Sequence, residues 1–360
     1  MKSTLKCVQQ ITEASKIAIV VHQNADTDAL ASGIALRRVI ADNFAQKKCI
    51  DIFTDTNEFN KKDEDLIANE NINIQTYKRY DLVITLDTPS RQRLGKFDEI
   101  VFKKSKDSLN IDHHITNVHF AKNNIVVLNS SSACEVIYLL FINVLKYQCS
   151  IQTKNVLYSG IITDTNNLTQ NIGPKTFAIV DEIVKNSIQE GIDAEKVRNH
   201  YFKSNTKERN GLLAKALGSL SYSDNGKIAM MKITKQDFSE THTSQADTLG
   251  IVDFAINTEG VEVGIIFIKQ EDNTYYVSLR SKNENVNVGE IAKEMGGGGH
   301  AKVAAFQSKP EQNLTDMKAK ITSLCNQQFA KLNDKNNENI SEIFAETEKN
   351  KDEVEKEMIL

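Results

Sequence analysis

The first half of the chain alternates short apolar runs with longer stretches of helical spacing, and this alternation restricts the fold more than any other feature. The clearest run is Asp81–Asp87, which is nearly continuous in apolar residues, as a strand buried on both faces would be. Further strands are predicted at Lys16–Val21, Cys49–Phe53, Ile100–Phe102 and Leu109–Ile111. Helices are predicted at Ala29–Phe44, Ser132–Leu145, Thr153–Ile162 and from Pro174 to about Ser187. This order predicts an α/β domain with helices on both faces of a doubly wound, mostly parallel sheet.

A helical stretch at Asp193–Leu217 is expected to link this domain to a second one of a different type. Beyond it, Asp224-Asn225-Gly226 predicts a hairpin turn. Strands are predicted on both sides of that turn and at Val261–Lys269, Tyr275–Leu279 and Val303–Phe306, and helices at Val288–Met295 and Pro310–Leu332. We therefore expect an α/β domain over residues 1–190, a helical linker over 191–218 and a smaller α+β domain over 219–332. The charged tail, 333–360, is either a solvated helix or disordered.

Composition limits the partners and the compartment. The formal net charge is −4, so no global basic field recruits long nucleic acid, although a small anionic ligand needs only a local pocket. Five cysteines are scattered without C-x-x-C spacing, which is typical of reduced thiols in a cytoplasmic protein. The N-terminal residues do not resemble a signal peptide, and no run approaches the roughly 18 apolar residues of a membrane helix.

Aspartate and histidine side chains recur at the ends of the predicted elements. They are His22, Asp26 and Asp28 in one loop, Asp87 after the buried strand, the triplet Asp112-His113-His114, and Asp164 at a helix end. Each has an ordinary structural explanation, since Asp28 can cap a helix and Asp87 can begin a turn. Together they supply oxygen and nitrogen ligands without a thiolate, which suit Mn²⁺ or Mg²⁺ better than structural zinc. Four such segments could hold two ions about 3.5–4 Å apart, the spacing of two-metal phosphoesterases.

The second half carries a different feature, the run Gly296–Gly299 followed by His300. Glycines let backbone N–H groups approach an anion closely, whereas the ordinary explanation is a flexible linker. A linker is unexpected inside a short strand–helix–strand unit. Arg280, in Ser278-Leu279-Arg280-Ser281-Lys282, lies at a predicted strand end and could grip a phosphate.

These motifs resemble those of a known family. His22–Ala29, Asp87, Asp112-His113-His114 and Thr163-Asp164-Thr165 look like the four motifs of the DHH phosphoesterases. The segment from Ser278 to Ser281, together with Gly296–His300, looks like the associated DHHA1 domain. The resemblance spans about residues 10–330, and within the family it is greatest to bacterial stand-alone nanoRNases (oligoribonucleases) that are also pAp phosphatases.

The resemblance implies a role for each residue. His22 and Asp26 would bind one metal, Asp28, His113 and Asp164 the other, and Asp87 would bridge both. His114 would contact the scissile phosphate or its leaving group, and Asp112 would orient a histidine. The substrate's far end would lie against Arg280, Ser281, Gly297, Gly298, Gly299 and His300. The implied cofactors are two divalent cations, Mn²⁺ before Mg²⁺, and a homodimer is compatible with the family.

The first motif has Ala25-Asp26-Thr27-Asp28 where the family often has Pro-Asp-Gly-Asp, with both aspartates kept. Two further positions depart from the family pattern. Ala305 stands where a glycine is common after His300, and Asn166 where a glycine often follows Thr-Asp-Thr. Neither replaces a metal ligand, but Ala305 could reshape the wall that contacts a base. The ranking of substrates is therefore left open.

The resemblance implies hydrolysis of very short RNA to mononucleotides and dephosphorylation of 3′-phosphoadenosine 5′-phosphate (pAp) to AMP. The alternative is a phosphodiesterase specific for linear or cyclic dinucleotides, such as pApA or c-di-AMP. A non-catalytic nucleotide- or RNA-binding protein is a third hypothesis, which predicts lost metal ligands. Every expected ligand position is filled.

Overall fold

The computed structural model describes residues 2–44, 49–56, 59–73, 79–190, 193–282 and 285–332. The chain divides into two compact units, Met1–Ser204 and Asn205–Leu360, and this division falls inside the predicted linker. The predicted tail, 333–360, lies outside the described residues.

The first unit is built on a five-stranded sheet. Its strands are β1 (Lys16–Val21), β2 (Cys49–Phe53), β3 (Leu82–Leu86), β4 (Asp107–Asp112) and β5 (Asn123–Val126). They lie in the order β2-β1-β3-β4-β5 and every neighbouring pair is parallel, which confirms the predicted sheet. The α-helices are α1 (Lys2–Glu13), α2 (Thr27–Asn43), α3 (Glu64–Ile67), α4 (Ala133–Ile137), α5 (Ile151–Asp164), α6 (Thr176–Glu190) and α7 (Ala194–Phe202).

Both faces of this sheet are buried, as the apolar strands require. Ile17 and Ile19 of β1 belong to a core cluster that includes apolar residues of α2, α4 and α5. Val20 and Val83 face the other way, into a second cluster closed by short helical turns at Arg91–Leu94 and Asp98–Phe102. Because alternate side chains of a strand point to opposite faces, a continuous apolar run is what such a sheet needs.

Several local predictions for this unit were wrong or incomplete. Ile100–Phe102 is not a strand, because it belongs to a π-helical turn over Asp98–Phe102 whose Val101 is buried against the sheet. The stretch Ser132–Leu145 is helical but changes from α-helix to π-helix at Tyr138–Val144. Pro174 lies in the turn before α6 and not in its first turn. The edge strand β5 had not been predicted, since it is four residues long and begins with two asparagines.

The second unit is a six-stranded, mixed sheet with helices. Its strands are β6 (Ser221–Tyr222), β7 (Ile228–Ile233), β8 (Val263–Lys269), β9 (Tyr275–Ser281), β10 (Gly298–Gly299) and β11 (Val303–Gln307). They lie in the order β10-β11-β9-β8-β7-β6, and β7–β8 is the parallel pair among them. The α-helices are α8 (Lys207–Gly218), α9 (Lys235–Thr241), α10 (Val252–Ile256), α11 (Val288–Glu294) and α12 (residues 314–332).

The predicted hairpins and the last helix of this unit are confirmed, but the linker differs. Asp193–Leu217 is not one helix: α7 ends at Phe202 and α8 begins at Lys207. Thr206 caps the second helix by accepting a hydrogen bond from the N–H of Arg209 at 3.1 Å, so the chain restarts there. The short helices α9 and α10 had not been predicted.

No helix in the described ranges has the length and apolar character needed to cross a membrane. All five cysteines are thiols and not disulfides, as their dispersed positions predicted.

Candidate metal centre

The predicted aspartate and histidine sites meet at one edge of the parallel sheet. His22 follows β1, Asp87 follows β3, and Asp112-His113-His114 ends β4. Because β3 lies between β1 and β4, the carboxyl ends of these three strands are neighbours. This is the edge at which open α/β sheets bind ligands.

Two helices bring the remaining carboxylates to the same place. Asp26 caps α2, accepting a hydrogen bond from the N–H of Ala29 at 3.0 Å, and Asp28 lies in the first turn of that helix. Asp164 is the last residue of α5, as predicted. Since α2 and α5 pack against each other, the start of one helix and the end of the other can meet at the sheet edge.

The side chains form two groups that share Asp87. In the first, the His22 Nε2 lies 3.7 Å from the Asp26 Oδ1 and 3.5 Å from the Asp87 Oδ2. In the second, the His113 Nε2 lies 3.3 Å from the Asp87 Oδ1 and 3.6 Å from the Asp164 Oδ2. Asp28 joins His113 and Asp164, and one ligand atom from each of these three residues lies within 4.8 Å of the others.

Two buried oxygen atoms at this centre lack the hydrogen bonds that burial normally requires. The Asp87 side chain is 4% exposed, and its Oδ1 accepts no hydrogen bond from any residue that the structure describes. The same holds for the Asp164 Oδ2. A buried carboxylate oxygen that accepts no hydrogen bond is costly unless something compensates it. The two groups contain more carboxylates than imidazoles, so divalent cations fit this donor set.

The backbone at Asp87 is unusual. Its φ is +52°, in the left-handed region that non-glycine residues rarely adopt. Such conformations cost of order 1–3 kcal/mol and persist where the surroundings impose them, often at functional sites. The turn after β3 therefore holds this carboxylate in place between the two groups.

The imidazoles are oriented by hydrogen bonds on their other ring nitrogen. The His22 Nδ1 lies 2.8 Å from the carbonyl oxygen of Gln23, and the His113 Nδ1 lies 3.3 Å from that of Ser130. A carbonyl can only accept, so each Nδ1 carries the proton and the Nε2 faces the carboxylates. Metal-ligating histidines are usually held in this way.

The charges of the centre depend on one another. Burial acts to lower the pKa of His22 and of His113, but contacts with Asp26 and Asp87 raise the pKa of His22 to about 10. The contact with Asp87 likewise raises the pKa of His113 to about 10. Burial and the nearby charge of Asp87 raise the pKa of Asp28 to about 7. Without a cation, the protons on the imidazoles partly offset the negative charge, and a metal would take their place.

The residues of the triplet Asp112-His113-His114, at the end of β4, make different contacts. Asp112 is fully buried, and its Oδ1 accepts from the His113 N–H at 2.8 Å and from the His114 Nδ1 at 2.7 Å. Its Oδ2 accepts from the Asn117 Nδ2 at 2.6 Å. Asn117 was missed by sequence reasoning, since an asparagine in a loop carries no pattern that distinguishes it. Asp112 therefore holds the His114 ring, and Asn117 holds Asp112.

In the second unit, the glycine run is partly explained by packing. A Cβ at Gly297 would lie 2.3 Å from the Ala305 oxygen, and one at Gly299 would lie 2.5 Å from atoms of β11. Among the described atoms, a Cβ at Gly298 would meet nothing within 4 Å. The N–H groups of Gly297 and His300 donate to carbonyl groups of the same unit at 2.8 and 2.7 Å. A Cβ at Gly296 would also meet no described atom within 4 Å, so Gly296 and Gly298 are the open positions of the run, and Gly298 pairs with Ala305 in the sheet.

Arg280 and Ser281 lie on opposite faces of the same sheet. Successive side chains of β9 alternate, and Ser281 is buried while Arg280 is partly exposed. The Arg280 Nε lies 3.2 Å from the Asp253 Oδ1, and its Nη1 donates to the Ser278 hydroxyl at 3.1 Å. The two predicted substrate-binding side chains cannot therefore contact the same group of a ligand.

The comparisons agree with the arrangement of the chain. The model of the DHH family N-terminal domain matches residues 16–161, and that of the DHHA1 domain matches residues 225–327. A Streptococcus mutans protein named "Probable bifunctional oligoribonuclease and PAP phosphatase NrnA" is 30% identical over 287 residues, 79% of this chain and 86% of that protein. The chain belongs to the DHH family. This DHH protein is a phosphoesterase and a hydrolase, as the motifs predicted.

One further relative and one solved structure extend the comparison. "Cyclic-di-AMP phosphodiesterase GdpP" of Geobacillus thermodenitrificans is 27% identical over 317 residues, 82% of this chain but 45% of that protein. An exopolyphosphatase-related protein from Bacteroides fragilis superposes with a TM-score of 0.81 at 19% identity, over 91% of this chain and 96% of that one. At 19% identity, this match shows that the two proteins share a fold.

Asn166, where a glycine often stands in this family, has a φ of +45°. Asparagine tolerates the left-handed region better than other side chains do, so the departure preserves the turn after Asp164.

Proposed function

We propose that this phosphoesterase hydrolyses very short RNA oligonucleotides to mononucleotides and dephosphorylates 3′-phosphoadenosine 5′-phosphate to AMP. The observation that carries the proposal is the position of Asp87, with one oxygen 3.5 Å from His22 and the other 3.3 Å from His113. A carboxylate between two ligand groups is what a two-metal phosphoesterase requires. The substrate class is supported by the relative named as an oligoribonuclease and PAP phosphatase.

The chain offers residues for two divalent cations. His22 and Asp26 would hold one, Asp28, His113 and Asp164 would hold the other, and Asp87 would be shared. Divalent cations bound there would lower the pKa of a water molecule and neutralise negative charge on the phosphoryl oxygens. We propose Mn²⁺, with Mg²⁺ as the alternative, because the ligands combine imidazole with carboxylate.

His114 would serve the substrate and not a metal. Its Nδ1 donates to Asp112, which fixes the ring and stabilises its protonated form. Burial acts to lower the pKa of His114, but the hydrogen bond to Asp112 and the charge of Asp87 raise it above its usual value. A protonated imidazole can donate to a phosphate oxygen or to the leaving oxygen. Hydrolysis breaks the P–O bond of the substrate, water supplies the new oxygen on phosphorus, and the leaving oxygen acquires a proton.

The second unit would bind the rest of the substrate. Arg280 carries a planar guanidinium that can grip a terminal phosphate with two parallel hydrogen bonds. Gly298, which is open to approach, and His300 would contact the phosphate or the base. Gly297, Gly299 and Ser281 would then support this surface through packing. We also propose a cytoplasmic location, which the five thiols support, and assembly as a homodimer.

A second candidate function is the hydrolysis of linear or cyclic dinucleotides. The relative named as a cyclic-di-AMP phosphodiesterase favours it. A kinetic panel that compares pAp, pApA, c-di-AMP and RNAs of two to five nucleotides, with Mn²⁺ and with Mg²⁺, separates the two candidates. If c-di-AMP or pApA has a kcat/KM far above that of pAp and short RNA, the second candidate replaces the first.

The direct test of the centre is Asp87→Asn, with Asp81→Asn as its matched control. Asp81 immediately precedes the same strand at its opposite end, where it accepts hydrogen bonds from the Lys16 N–H at 2.9 Å and from Lys106. We expect Asp87→Asn to abolish metal-dependent release of mononucleotide and Asp81→Asn to retain it. Full turnover by Asp87→Asn would show that the two-metal assignment is wrong. A wild-type protein that binds nucleotide without turnover would favour the non-catalytic alternative.

A further inference from the structure

One segment outside the family motifs touches two of the proposed metal ligands. It is Ser130–Cys134, which runs from the end of the loop after β5 into the first turn of α4. The N–H of Ala133 donates to the Asp28 Oδ2 at 2.7 Å, and the N–H of Cys134 donates to the Asp28 Oδ1 at 3.1 Å. The carbonyl oxygen of Ser130 accepts the hydrogen bond from the His113 Nδ1. This short segment therefore orients a carboxylate and an imidazole of the second ligand group together.

The segment is itself tied down by the next side chain. Glu135 is 1% exposed, and its Oε2 accepts from the Ser131 hydroxyl at 2.5 Å, from the Ser131 N–H at 3.3 Å and from the Thr176 hydroxyl at 2.6 Å. Ser131 is the second residue of the segment, and Thr176 is the first residue of α6. The carboxylate thus joins the segment to the start of a separate helix.

Connecting two elements through a buried carboxylate costs free energy. Burying a charged or polar group costs free energy unless hydrogen bonds compensate it, and an apolar side chain would fill the space without that cost. The Glu135 Oε1 has no hydrogen-bond partner among the described residues, so compensation is incomplete. What the carboxylate adds over an apolar residue is direction, because it fixes where the Ser131 backbone lies.

The segment packs closely against α5 and the ligand Asp28. Gly160 on α5 has no side chain where Asp28 and Cys134 meet. A Cβ there would lie 2.3 Å from the Cys134 Sγ and 2.7 Å from the Asp28 Oδ1. Close packing of this kind leaves no slack to absorb a shift.

We propose that Glu135 is a positioning residue for the metal centre, acting through Ser131 and the segment Ser130–Cys134 to hold Asp28 and His113. This inference rests on the proposed two-metal function and deepens it. Glu135 itself would touch neither metal nor substrate. Residues that orient metal ligands typically contribute about 10- to 100-fold to metal affinity or activity.

The test is Mn²⁺ binding to metal-free protein, measured by calorimetry for Glu135→Gln. We expect Mn²⁺ affinity to fall about 10- to 100-fold, the range for ligand-orienting partners. The absorption bands of the Co²⁺-loaded protein should also change, because they report ligand geometry. The matched control is Ser150→Ala, which removes the N-cap of α5, the helix that carries Asp164, without touching the segment. It should lower the melting temperature and leave Mn²⁺ affinity unchanged.

A second variant keeps the proposal testable if Glu135→Gln does not fold. Ser131→Ala removes one donor to the carboxylate and should weaken Mn²⁺ binding in the same direction by a smaller factor. Wild-type Mn²⁺ affinity in either folded variant would overturn the positioning role while leaving the proposed function intact. A weakening by Ser150→Ala equal to that of Glu135→Gln would overturn it as well, since stability alone would then explain the effect. Absence of both Mn²⁺ and Mg²⁺ binding by the wild-type protein would overturn the proposed function and the inference together.

Discussion

Asp112→Asn is the most informative single substitution, because it changes hydrogen bonding without changing shape. The wild-type carboxylate accepts on both oxygens, from His113 and His114 at Oδ1 and from Asn117 at Oδ2. An amide can accept on one side only. If the NH₂ of the new amide faces Asn117, two donors oppose each other. Turning the Asn117 amide would then break its hydrogen bonds with Asn110 and with the N–H of His119, both at 2.7 Å.

The expected magnitude follows from these contacts. In either orientation, the variant loses at least one hydrogen bond to a charged group, which is worth about 1.5–3 kcal/mol. At about 1.36 kcal/mol per factor of ten, kcat should fall about 10- to 150-fold. We expect KM to change little, because Asp112 is fully buried and acts through His114.

The assay is steady-state hydrolysis of pApA and pAp with saturating Mn²⁺, together with circular dichroism to measure the folded fraction. The matched control is Asp107→Asn, at the start of the same strand and the opposite end from the metal centre, where the carboxylate accepts from Gln10. Its kcat should remain within about twofold of the wild type, as for substitutions away from a site. A wild-type kcat in Asp112→Asn, or a loss explained by unfolded protein alone, would refute the reasoning.

Three further outcomes are expected. Mn²⁺ affinity, measured by calorimetry from pH 6 to pH 8, should rise with pH, and binding should release protons. The reason is that contacts with carboxylates raise the pKa of His22 and His113 to about 10, so the metal must displace those protons. An affinity that is independent of pH would contradict this. Gly160→Ala should lower both the melting temperature and Mn²⁺ affinity, since its Cβ would meet a sulfur at 2.3 Å and a carboxylate oxygen at 2.7 Å, and overpacking costs about 1–3 kcal/mol. Gly297→Ala should lower the melting temperature while Gly298→Ala leaves it unchanged, because only the Cβ added at Gly297 would collide with backbone atoms. Equal melting temperatures for the two variants would show that packing does not require a glycine at this position.

The parallel sheet was predictable where the sequence pattern is long and unambiguous. Lys16–Val21 and Cys49–Phe53 are strands with the predicted bounds, because β-branched and apolar residues run between polar loops. The strand predicted at Ile100–Phe102 was wrong because three apolar residues fit one helical turn as well as a strand. The break in Asp193–Leu217 was missed because Thr206 acts as a helix cap only once the chain turns there.

The sequence alone determined the chemistry of the candidate centre. Aspartates and histidines at the ends of predicted strands and helices specify oxygen and nitrogen ligands, which predicted the chemistry of a divalent metal site. The end of β3 carries Asp87, and the end of α5 carries Asp164, as predicted. These conclusions depend on residue types and local periodicity, which a sequence displays directly.

Only the tertiary structure decided which side chains meet and what holds them. Asp87 lies between the two ligand groups because β3 lies between β1 and β4, an order that local sequence does not specify. Asp28 is held by the N–H groups of Ala133 and Cys134, more than a hundred residues away along the chain. Such contacts arise from the packing of distant elements, so they leave no periodic pattern by which Asn117 or Glu135 could have been found.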